Sequence, residues 1–85
     1  MSSFIKVSEG VTIAMHSMLL MAMQSDEVLT TSYIAEKLHV SAAHLSKVIQ
    51  RLNHAGLVKS TRGPKGGSTL AKNKNDITLL EIFEA

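Results

Sequence analysis

The chain has 85 residues, 45% of them apolar and 19% charged, with no cysteine and a net charge of +2. That makes one small folded domain and excludes a disordered chain, disulfides, and any iron–sulfur cluster held by cysteines of these residues, so no cofactor is expected. The charge is segregated: residues 1–36 sum to −3, residues 37–75 hold eight cations and no acid, and residues 76–85 sum to −3, a distribution aimed at a polyanion.

The first predicted helix covers residues 8–24, with Ser8 as a candidate cap and Val11, Ala14, Met15, Met18, Leu19 and Ala22 at helical spacing. Ile13, Leu20, Met21 and Met23 add apolar surface on its other sides, so the helix needs cover on more than one face, from a second subunit or a further segment. The methionines read as core or dimer contacts before they read as a ligand surface. The run Val11–Met23 contains Thr12, His16 and Ser17 and is too short to span a bilayer. Without a small-residue cleavage site near the N-terminus, a cytoplasmic location is expected.

Ser25–Glu27 interrupts the pattern, and Val28–Leu29 reads as either a short strand or an extended entry beside a later hairpin. Thr31 is the expected cap of a second helix, 31–39, that turns Ile34, Ala35 and Leu38 inward. His39-Val40-Ser41 makes a turn, and Ser41 caps a third helix, 42–55, with Leu45, Val48, Ile49 and Leu52 on one buried face. Gly56 stands where a glycine stops a helix. Two helices joined by so short a turn form a helix-turn-helix, whose second helix reads DNA.

Residues 57–71 form a predicted β-hairpin: Leu57–Thr61 alternates as a half-buried strand would, 62–67 turns, and 68–71 returns. A polar linker, 72–75, leads to a last helix, 78–85, where Thr78 and Glu81 have capping-box spacing and Leu79, Leu80, Ile82 and Phe83 are apolar. The fold class is therefore mainly α with a small β-hairpin, a winged helix-turn-helix.

The chemistry of contact follows from residue type. Ala42 and Ala43 open the third helix without bulk, so its amides can approach a phosphate and alanine can touch a thymine methyl. His44, Ser46 and Lys47 are the candidate base readers, with a plain surface histidine an equal reading of His44. Gln50 and Arg51 lie a turn further on and are expected to meet backbone or solvent. Arg62 at the hairpin tip suits a narrow A·T-rich minor groove, while Lys59 and Lys65 suit phosphates. Gly63, Gly66 and Gly67 supply turn geometry and close approach, and Pro64 stiffens the loop. His16, His39 and His54 lack metal-ligand spacing.

The run IAEKLHVSAAHLSKVIQRLNHAGLVKSTRGPKGG, followed by LAKNKNDITLLEIFEA, resembles the Rrf2-type winged-helix transcription regulators, from about Ser8 onward. GLV followed by the basic RGPKGG wing, at a fixed distance after the reading helix, is the specific part. The resemblance implies a dimeric repressor on a pseudopalindromic promoter site, with the third helix in the major groove and the wing in a flanking minor groove. By position it assigns Ala43, His44, Ser46 and Lys47 to the exposed first turns of the reading helix, and Arg62 and Gly63 to the wing tip; residue type adds Ser41, Ala42, Arg51, Lys59 and Lys65 to the candidate DNA contacts. The family's long dimerising helix and the cysteines of its cluster-binding members are not among these residues, so a weak homodimer is expected. Ser68 replaces a frequent aromatic, and His44 a frequent tyrosine.

Two other readings compete. A winged helix can dock on a protein and modulate a full-length relative, but such a wing would be apolar rather than carry Arg62 and Lys65. GPKGGS could cradle a phosphate in an enzyme, yet it lacks the strand–loop–helix setting and the lysine–serine ending, and no nucleophile–base constellation accompanies it.

Overall fold

The computed structural model describes residues 9–61, 66–78 and 81–82. The elements are α1 (Glu9–Met23), α2 (Thr31–Leu38), α3 (Ala42–His54), β1 (Val58–Thr61), β2 (Gly67–Leu70) and a 3₁₀ turn (Lys74–Asp76). The suggested cap Ser8, the wing tip 62–65 and most of the last helix fall outside the described residues.

Apolar side chains from every part of the chain meet in one core: Ile13, Met18 and Met21 of α1, Ile34 of α2, Leu45, Val48, Ile49 and Leu52 of α3, and Leu29, Leu57 and Val58 around the hairpin. On α1 the buried residues are Ile13, Ala14, Ser17, Met18 and Met21. The expected stripe is thus rotated: Leu19 is 57% exposed, and Met15 and Ala22 are only half-buried. An almost wholly apolar helix has no periodic signal to select its inner face, so docking against α2, α3 and β2 selects it.

α2 begins at Thr31, as expected, but its cap lies one residue earlier and it ends at Leu38. Thr30, not Thr31, is extended (φ −72°, ψ 155°), and its hydroxyl accepts the Tyr33 N–H at 3.0 Å. Leu29 explains the shift. It exchanges both backbone hydrogen bonds with Ser68, at 3.0 and 2.7 Å, so the chain is extended up to Thr30 and turns only there. Leu29 is thereby a one-residue strand on the outer edge of β2, the strand reading of Val28–Leu29, whereas Val28 stays exposed.

Both helices of the turn motif end in the same backbone device. His39 lies outside α2, in the left-handed region at φ 57°; its N–H bonds the Glu36 carbonyl, and the Val40 N–H bonds that of Ala35. Gly56, at φ 81°, does the same after α3, with its N–H on Asn53 and the Leu57 N–H on Leu52. These are Schellman closures, which satisfy the orphan carbonyls and reverse the chain sharply. α3 itself ends at His54, with Ala55 as its C-cap.

β1 and β2 pair antiparallel, from Val58↔Leu70 to Thr61↔Gly67, and the Ala71 N–H to Leu57 carbonyl bond extends the ladder. The expected alternation along 57–61 is absent. Leu57 and Val58 are both buried, and Lys59, Ser60 and Thr61 are all exposed. Leu57 closes the α3 terminus and packs there before the strand begins, while the distal part of β1 leaves the body of the domain.

Candidate nucleic-acid interface

The site is built from the start of α3, its solvent face and the hairpin beside it. Ser41 caps α3 by accepting the His44 N–H at 3.0 Å. Ser41, Ala42 and Ala43 are all exposed, so the helix N-terminus, with its partial positive charge, is open to an approaching anion.

The α3 side chains divide among three faces. Leu45, Val48, Ile49 and Leu52 anchor the helix in the core. Opposite them, Ala43, Lys47, Gln50 and His54 form an exposed stripe at i, i+4, i+7 and i+11. Ser46 is half-buried on the hairpin side, where it and Gln50 line a polar groove of about 340 Å³ closed by Ser60, Thr61 and Gly66. His44 and Arg51 are on the other flank. His44 Nδ1 is 3.7 Å from the Glu9 carboxylate of α1, and Arg51 borders a cleft with Gly10, Val11 and Ile82.

The structure therefore separates the candidates that the sequence grouped. Ala43 and Lys47 share the outward stripe, Ser46 faces the hairpin, and His44 and Arg51 lean toward α1. Lys59 is exposed on β1. Arg62, Gly63 and Lys65 lie outside the described residues. Gln50, expected to meet backbone or solvent, stands on the same face as Ala43 and Lys47. Its spacing opposite the buried stripe was the available signal.

Two further contacts hold the hairpin, one against α3 and one against the segment before α2. Asn53 Nδ2 donates to Ser60 Oγ at 2.8 Å, tying the last turns of α3 to β1. Gly67 lies so close to Leu29 that a Cβ there would overlap the Leu29 carbonyl. The expected close approach at Gly67 is thus to the protein's own backbone. The buried Ser68 occupies the position beside it.

Not all of the cationic segment faces this site. Lys72 Nζ is 2.8 Å from Glu81 Oε2, and Lys37 lies 5.5 Å from the Tyr33 ring centroid. Glu81 also accepts the Thr78 N–H at 2.9 Å, and its own N–H donates to Thr78 Oγ1, which completes the expected capping box. The hydrogen bond from Lys72, followed by that from the Thr78 backbone, holds the Glu81 carboxyl below its ordinary value.

Residues 7–85 match the family profile Rrf2, described as an iron-dependent transcriptional regulator. The chain belongs to the Rrf2 family. YwgB of Bacillus subtilis (strain 168) is 37% identical over 81 residues, spanning 94% of this chain and 52% of that protein. Among solved structures, CymR, the global cysteine regulator of B. subtilis, superposes with a TM-score of 0.89 at 28% identity, over 94% of this chain and 63% of CymR. IscR of T. potens gives 0.88 at 32% identity, over 99% and 62%. The fold is thus the winged helix-turn-helix of DNA-binding transcription regulators, and these relatives are regulators rather than enzymes. The Rrf2 chain spans about half the length of the curated relatives it matches. The chain has no cysteine, and among the described residues no three His, Asp or Glu side chains gather as a metal site. No helix of the described residues is long and apolar enough to cross a membrane.

Proposed function

We propose that this Rrf2 chain represses transcription in the cytoplasm by binding a pseudopalindromic promoter site as a homodimer. In this reading α3 enters the major groove and residues 62–67 reach the adjacent minor groove. The observation that carries it is the exposed stripe Ala43–Lys47–Gln50, beside an open helix N-terminus and a hairpin that holds Lys59, with Arg62 and Lys65 following in sequence. Cations on phosphates supply affinity, and base edges supply selectivity.

Binding of a labelled random duplex at two salt concentrations tests the electrostatic core of the proposal. Affinity should fall steeply with salt, and Arg62→Gln should weaken retention on promoter fragments in a gel shift. Salt-independent affinity, or an unchanged shift for the variant, would favour a protein-docking role for the wing.

A further inference from the structure

The outward stripe of α3 bears four side chains of unequal chemistry. Alanine offers no hydrogen bond, and lysine is a point charge that serves phosphate and guanine alike. His54 belongs to the final residue of the helix, beyond its last buried anchor, Leu52. Gln50 alone on this stripe carries a donor and an acceptor side by side on one carboxamide, the arrangement that matches the N6 and N7 edge of adenine. It is exposed and has no hydrogen-bond partner among the described residues, so that carboxamide is free to meet a base.

Its neighbourhood narrows the geometry. Ser46, one turn earlier on the same flank, lines the same polar groove against the hairpin. The Asn53–Ser60 hydrogen bond and the Leu29–Ser68 bridge fix that groove's far wall relative to α3. A base edge that enters beside the hairpin thus finds a hydroxyl and a carboxamide stacked at i and i+4. Gln50 lies seven residues after Ala43, about 10 Å along the helix axis. With base pairs about 3.4 Å apart, that spans at most about three steps, the limit for a helix lying along the duplex axis.

Resting on the DNA-binding reading above, we propose that Gln50, supported by Ser46, is a specificity-determining residue that reads an adenine within about three base pairs of the base met by the α3 N-terminus. Selection from a pool of random duplexes by the whole chain, repeated with Gln50→Ala and Gln50→Lys, tests it. The wild-type motif should contain one adenine per half-site that Gln50→Ala makes degenerate and Gln50→Lys changes to guanine. Affinity of Gln50→Ala for the selected duplex should fall about ten-fold, with affinity for random duplex changed less than about two-fold. Circular dichroism will verify that these surface variants are folded. An unaltered motif in both variants overturns the role of Gln50, as does an equal loss on selected and random duplex, which marks a backbone contact. A wild-type chain that binds no duplex overturns the DNA-binding reading itself, a result distinct from either.

Discussion

Ser17 carries a hydroxyl into the core at 0% exposure, and its Oγ has no hydrogen-bond partner among the described residues. An unpaired buried hydroxyl costs about 1–3 kcal/mol. Ser17→Ala should therefore stabilise the domain and raise Tm by about 5 °C or more, read by thermal denaturation. Gly67 presents the opposite case. A methyl group there meets the backbone of Leu29 rather than a movable side chain, so Gly67→Ala should cost about 1–3 kcal/mol or more in urea unfolding. Gly56 has open space around its Cβ position but a φ of 81°, so Gly56→Ala should cost only the left-handed penalty of about 1–2 kcal/mol. Ranking these two variants separates steric from torsional strain in one experiment. Gly56 was legible in the sequence because it follows a finished helical pattern. Ser17 was not, because a serine inside an apolar helix reads the same whether it faces inward or outward.

At the level of elements, capping chemistry determines where this chain turns. The Ser41 cap and the Thr78–Glu81 box were both readable, since each is a local interaction between residues three apart. The Thr30 cap was misplaced by one residue because two threonines adjoin, and the choice between them depends on the remote partner Ser68. The same locality makes the last helix sensitive to pH. Glu81 titrates below its ordinary value of 4.5 in the folded chain. Its stabilisation is therefore complete above the unfolded value and disappears as pH falls through the folded one. Wild type should exceed Glu81→Gln in Tm at about pH 6, and the difference should shrink as pH falls below the ordinary carboxylate range. A gap between the two that stays constant over that range would mean that the carboxylate's charge is not what fastens the helix.

On the scale of the molecule, two surfaces stand out. One is the cationic side described above. The other lies along α1, where Leu19 and Met23 are 57% and 72% exposed beside an apolar hollow lined by Met15, Ala22, Leu70 and Ile77. Apolar ground of this kind supports association more than solvation. On the homodimer proposed above, Leu19→Glu should leave the circular dichroism spectrum unchanged while shifting the chain toward monomer in sedimentation velocity. It should also reduce affinity for a two-half-site duplex more than for a single half-site. Loss of both affinities in equal measure would place the effect outside self-association.

The sequence by itself determined the three helices, the hairpin, their order and the family. Helical spacing, caps, the chain-reversing Gly56 and the RGPKGG run are all written in residues close to one another. It also determined that eight cations fall in one acid-free stretch. Tertiary structure decided which way the elements face. It rotated α1 so that Ser17 and Met21, rather than Leu19, enter the core, and it brought Leu29 beside Ser68. It also distributed the reading-helix candidates, with Lys47 and Gln50 outward, Ser46 to the hairpin, and His44 and Arg51 toward α1. Local rules specify a helix and its ends, but the face it buries depends on surfaces distant in sequence, and only packing brings those together.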